Sequence, residues 1–234
     1  VDGAVITYEN IEPISNSGTA ADIIFNLPAG TVGASLQDDG TPGNNMVQLA
    51  STNATFETAT FTVPTSSLTV NGGGGTDTIS TAANFSGDFN AKLVINGTPA
   101  TDTINLNALT LGNAGANTGD LSVTGKIINL SSSITNSAGT HGKVDFTGPV
   151  TLLAAVTINA KDDVTFNQAL DGGFGLIVNT PGGTNYFGVV GGTTPLASMT
   201  MDASGLTRVS TNVTTVGGQS WGDQLALFGN VQLK

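Results

Sequence analysis

The stretch Leu68–Ile79, LTVNGGGGTDTI, returns as LVINGTPATDTI at Leu93–Ile104. From Leu68 to Leu93 the offset is 25 residues, and Leu, Asn, Gly, Asp, Thr and Ile recur in register. Each copy opens on apolar–polar alternation over β-forming residues and closes on a turn residue, the pattern of a short half-buried strand ending at a corner. A fixed period in the twenties is how one coil of a β-solenoid shows itself in sequence.

The core of that phrase, apolar–x–apolar followed by Asn, Thr or Asp, also recurs alone. It stands at Leu68–Asn71, Leu93–Asn96, Leu121–Thr124, Val144–Thr147, Val156–Asn159, Val164–Asn167, Leu176–Asn179 and Met199–Asp202. Between Val144 and Leu176 the copies crowd, so two fall within one coil. Val144 and Val164 are therefore expected on one face, and Val156 and Leu176 on another. Asn at the end of successive strands predicts amide ladders along the axis, as in cross-β stacks. No segment of ten residues carries helical apolar spacing free of Gly or β-branched interruption. Ala108–Ala116 comes closest, and its glycines spoil it. The fold expected is all-β: a parallel β-solenoid with coils of about 20–28 residues, of which about nine would make a rod some 45 Å long. The alternative is a β-sandwich with strands every 8–12 residues.

Residues 67–234 read as the repetitive solenoid, and residues 1–66 as an irregular β lead-in or its first coils, the whole expected to form one continuous domain. Strands are expected at Val5–Tyr8, Ile23–Leu27, Met46–Leu49 and Phe61–Val63. The turn-rich loop Gln37–Asn45 and four prolines (Pro13, Pro28, Pro42, Pro64) mark corners or edges.

Composition narrows the functional classes. Only 10% of residues are charged, and the net charge is −11. The six cations (Lys92, Lys126, Lys143, Lys161, Arg208, Lys234) are scattered singly. Nucleic acid is disfavoured as a partner, because phosphate contacts need clustered cations, and anionic membranes are disfavoured for the same reason. Cysteine is absent, which excludes a disulfide framework and any thiolate metal site. No run of 18 apolar residues exists, so membrane insertion is not expected. Val1–Ala4 does not open a signal peptide, and the chain reads as a piece of something longer.

The opening VDGAVITYENIEPI, the block SLTVNGGGGTDTI and the later VVGGTTPLASMTM resemble giant repetitive bacterial surface proteins, the filamentous-haemagglutinin-like and haemolysin-type-repeat adhesins. The resemblance implies an extracellular, cell-surface, right-handed parallel β-solenoid that serves as an adhesive or structural stalk.

Three motifs bear on chemistry. Gly72–Ser80, GGGGTDTIS, fits the calcium-binding nonapeptide G-G-x-G-x-D-x-apolar-x in every position. Its partial copy Gly97–Asn105 keeps Gly97, Asp102 and Ile104. Asp77 and Asp102 should then stack on adjacent coils, and the plainer reading is a Gly-rich corner capped by Asp, with calcium as the alternative. A carbohydrate-active β-helix would need converging carboxylates, here Asp162 or Asp163 with Asp145, near His141–Gly142. The aspartate pair follows His-Gly, the reverse of the pectin-hydrolase order, and no Arg-x-Lys element exists. Sugar platforms are scarce: Tyr8, Tyr186 and Trp221 are all the Tyr and Trp, and Trp221 reads best as a plug in the last coil. No catalytic, cofactor or metal residue is assigned and no enzyme activity is expected. The role expected is a stiff structural or adhesive segment of a secreted bacterial surface protein. Its open ends would favour end-to-end association into filaments.

Overall fold

The computed structural model describes residues 14–83, 85, 89–98, 100–112, 119–136 and 140–234. The strand expected at Val5–Tyr8 lies outside them, as do residues 113–116 of Ala108–Ala116, of which Leu109–Thr110 is a strand. The described chain is all-β and winds as a parallel β-solenoid with three faces.

The first face stacks nine parallel strands: Asp22–Asn26, Ser67–Asn71, Lys92–Asn96, Leu121–Thr124, Val144–Thr147, Val164–Phe166, Gly183–Tyr186, Leu206–Val209 and Gln224–Leu227. At about 4.8 Å per strand the stack is roughly 40 Å long. The second face follows each of these with Gly33–Asp38, Thr78–Thr81, Thr103–Leu106, Ile127–Leu130, Val150–Leu152 and Leu170–Asp171. Beyond Leu170–Asp171 it thins to isolated parallel bridges at Val190, Val213 and Leu233. Among the described residues the third face begins at Leu109–Thr110. It continues through Ile134–Asn136, Val156–Ala160, Gly175–Asn179, Ser198–Met201 and Gln219–Trp221, which gives six three-sided turns. Val144 pairs with Val164 on the first face, and Val156 with Leu176 on the third, as their spacing predicts.

Alternation sets the interior. On the first face one inward column runs Leu68, Leu93, Leu121, Val144, Val164, and a second runs Val70, Ile95, Val123, Phe146, Phe166, Tyr186, Val209. All are buried, each such side chain contributing about 1.5–3 kcal/mol through lost water contact. Phe146, Phe166 and Tyr186 stack ring on ring at 5.2 Å, so one aromatic column spans three turns.

The first third supplies a turn and a cover. Asp22–Asn26 and Gly33–Asp38 pair in parallel with the first strands of the repeat, Ser67–Asn71 and Thr78–Thr81. Between them the chain adds Met46–Ser51, antiparallel to Gly33–Asp38, and then Ala59–Thr62, antiparallel to Met46–Ser51. Ile14–Asn16 then pairs in parallel with Ala59–Thr62. The meander carries the second face past the first turn. Its inward residues Val47, Leu49 and Phe61 are buried, and the Phe61 ring lies 5.1 Å from Phe25 of the first turn.

Candidate functional site

The Gly-rich corner between the first and second faces has the strongest sequence signal. Asp77 and Asp102 are both fully buried there, one turn apart. Asp77 accepts from the Val32 amide of the turn before (2.9 Å) and from the Gly73 amide of its own corner (2.8 Å). Asp102 accepts from the Asp77 amide (2.9 Å), the Thr98 amide (2.6 Å) and the Thr101 hydroxyl (3.0 Å). All four carboxyl oxygens thus cap backbone donors that the bend leaves without strand partners.

The glycines answer to crowding. A Cβ on Gly73 would stand 2.0 Å from the Pro28 carbonyl oxygen, and Gly75 has φ +110° and would set a Cβ 2.7 Å from the Gly30 carbonyl oxygen. Among the described residues no group of three or more His, Cys, Asp or Glu is disposed to hold a metal ion. Asp77 and Asp102 do stack on adjacent turns, with their oxygens turned to amides.

The carboxyl groups that a hydrolase would need are committed to different turns. Asp162 accepts from the Gly142 amide of the preceding turn (3.0 Å) and lies 3.4 Å from Nδ1 of the exposed His141. Asp163 accepts from the Gly183 amide of the following turn (2.6 Å). Asp145 faces outward one turn before Thr165 and accepts from the Asn167 amide (2.7 Å). Arg208 donates to Asn185 at 3.3 Å and stands beside Gly183, where a Cβ would lie 2.9 Å from its Nη1.

Amide ladders occur on all three faces. On the first, Asn71 donates to Asn26 (2.8 Å) and Asn96 to Asn71 (2.9 Å). On the second, Asn129 donates to Asn105 (2.8 Å), which donates to Ser80 (3.4 Å). On the third, Asn179 donates to Asn159 (2.8 Å), which donates to Thr135 (3.4 Å). Each bond joins one turn to the next, so outward polar side chains reinforce the backbone ladders.

Neither described aromatic candidate forms a sugar platform. Tyr186 is buried as the last ring of the interior stack, with its hydroxyl 3.5 Å from the Met201 sulfur. Trp221 pairs in register with Met201, is partly buried and packs on the core, the plug position its sequence context suggests.

Sequence reasoning passed over a polar group inside the last turns. Thr207, buried at an inward position, donates to Asp223 at 2.6 Å. The other Asp223 oxygen and Oε1 of Gln219 are buried with no partner. Burial pushes the Tyr186 phenol well above its ordinary value, and the Asp223 carboxylate adds to the shift. The signal was present in GTNY and LTRV, where Thr184 and Thr207 take the inward phase that Val, Leu or Phe hold elsewhere.

These features define the class: a three-sided parallel β-solenoid whose corners are capped by aspartate and whose faces are laced by asparagine. Compared with protein-family models, curated proteins and solved structures, the chain matches none.

Proposed function

We propose that this chain is a non-catalytic structural and adhesive segment of a secreted bacterial surface protein, acting as a stiff, protease-resistant rod. One observation carries the reading: the best-bonded polar side chains, Asp77, Asp102, Asp163 and the three amide ladders, join one turn to its neighbour. Such bonds, with a mostly apolar interior stacked from turn to turn, resist bending and local opening because each turn is held by the turns beside it. A rod of this kind presents broad, mostly uncharged Thr, Ser and Asn faces to a cell-surface or matrix ligand. End-to-end self-association uses the turn at Gln219–Leu227, whose edge carries neither Pro nor Lys to block pairing. Paired with the Asp22–Asn26 edge of a second copy, the contact does not close on itself, so light scattering should find species larger than the monomer and electron microscopy fibres.

The test is a joint assay of proteolysis and turnover. The purified chain should survive a broad-specificity protease for hours and release no reducing ends from a panel of plant and bacterial polysaccharides. Release that disappears in Asp163→Asn would replace the rod with the hydrolase reading. A large rise in melting temperature with calcium, reversed by chelator, would replace it with a calcium-stabilised binding module.

A further inference from the structure

The sequence contains two Asn-Gly pairs, Asn71–Gly72 and Asn96–Gly97, and both lie on the same ladder. Asn is thermolabile, and before Gly it is most so, because the following backbone nitrogen has no Cβ beside it. In the reaction the glycine nitrogen attacks Cγ of the asparagine. A nitrogen–Cγ bond forms, the Cγ–Nδ2 bond breaks and ammonia leaves. Water then opens the cyclic imide to aspartate or isoaspartate.

Here both reacting partners are held away from that path. The Gly72 amide donates to the Asn96 carbonyl and the Gly97 amide to the Thr124 carbonyl, each at 2.8 Å. The Asn71 side chain is bound on both sides, donating to Asn26 and accepting from Asn96. Asn96 ends the run: it donates to Asn71, and the residue in register beyond it is Thr124, which offers no amide.

We propose that the Asn26–Asn71–Asn96 ladder protects these two sites from deamidation, that loss of the amide here reports opening of the first face, and that Asn96 reacts first. Deamidation at Asn96 replaces the donor facing Asn71 Oδ1 with an oxygen, and isoaspartate adds a methylene to the backbone at a corner where the turns are in close register. One event therefore unfastens the first face between two turns. The proposal stands on this geometry whether or not the rod reading holds.

The experiment incubates the intact chain at mildly alkaline pH and follows the mass of each Asn-Gly peptide, with the same chain in concentrated urea as reference. Both sites should react at least about tenfold more slowly when folded, Asn96 faster than Asn71. Asn26→Ala removes the acceptor of the Asn71 amide and should speed Asn71 several-fold while leaving Asn96 unchanged. Asn26→Asp keeps an acceptor and should restore the slow rate, and melting curves confirm that both variants remain folded. If Asn26→Ala fails to fold, the order of the two sites in the wild-type chain decides. Equal folded and unfolded rates, Asn71 reacting before Asn96, or an Asn71 rate indifferent to Asn26→Ala in a folded variant would overturn the proposal.

Discussion

Where the chain enters the rod, the second face runs on as an antiparallel meander that buries Val47, Leu49 and Phe61 over the first turn. At the far end, Gln219–Trp221 and Gln224–Leu227 are the outermost strands of their faces among the described residues. Trp221, Leu225 and Val231 are only partly buried there, while Met201, Thr207 and Val213, in or beside the same columns one turn inward, are fully covered. Leu227 and Phe228 are exposed. The polar interior differs in the same sense. Asp102, near the covered end, has every carboxyl oxygen satisfied, whereas Asp223, in the last turn, has one with no partner. In a solenoid an inward side chain counts for what lies above and below it, so the same residue type holds the fold strongly at one level and weakly at another.

The largest expected effect comes from placing a charge in the middle of the stack. Ile95→Asp buries a carboxylate between two apolar neighbours, Val70 and Val123, and should remove most or all of the folding free energy, a loss of at least about 4 kcal/mol. Leu225→Asp, at the open end, should cost about 1–2 kcal/mol, because its far side already meets water. Equal losses in chemical denaturation would erase the distinction.

Removing the covering ring comes next. Phe61→Ala should cost about 3–4 kcal/mol, and Trp221→Ala about 1–2 kcal/mol despite the larger side chain. The reverse order in melting temperature would mean that the terminal plug, and not the meander, secures its end.

The two aspartates give a smaller contrast. Asp102→Ala strands the amides of Asp77 and Thr98 and should cost about 2–4 kcal/mol. Asp223→Ala loses the Thr207 bond but removes a buried acceptor without a donor, so its effect should stay within about 1 kcal/mol of zero.

Tyr186 adds a pH-dependent difference. Its phenol ionises at higher pH in the folded chain than in the unfolded one. The folded state therefore retains the proton longer, and stability is fully present below the unfolded value of about 10 and falls as pH rises above it. Tyr186→Phe should change stability by less than about 1 kcal/mol at neutral pH and flatten the alkaline decline. A decline as steep as in the wild-type chain would place its origin elsewhere. The smallest effect is Lys92→Ala, an outward, partly exposed residue, at about 0.5 kcal/mol or less by the same denaturation.

The architecture was legible because the recurring phrase marks real strands on the first and third faces, and its crowding after Val144 records two faces of one turn both carrying it. The second face was hidden: TIST, IINL and VTL alternate but lack the closing Asn, and of these strands only Thr103–Leu106 is followed by one, Asn107. Three strands of the first third were visible as segments. The antiparallel pairing of Met46–Ser51 and Ala59–Thr62 was not, because alternation is the same for either direction and only long-range contacts decide it. At the candidate sites, stacking of Asp77 on Asp102 followed from the period alone. That Asp162 turns back to Gly142 while Asp163 turns forward to Gly183 did not, since two adjacent aspartates at a corner look alike in sequence.

Amide hydrogen exchange, resolved by peptide along the chain, tests the central claim most directly: every turn is secured by the turns stacked on either side. Protection should be high and even from Met46–Ser51 through Ser198–Met201, and should drop only in Gln219–Trp221 and Gln224–Leu227. Fast exchange in the meander, or in one face along its whole length while the others stay protected, would contradict it.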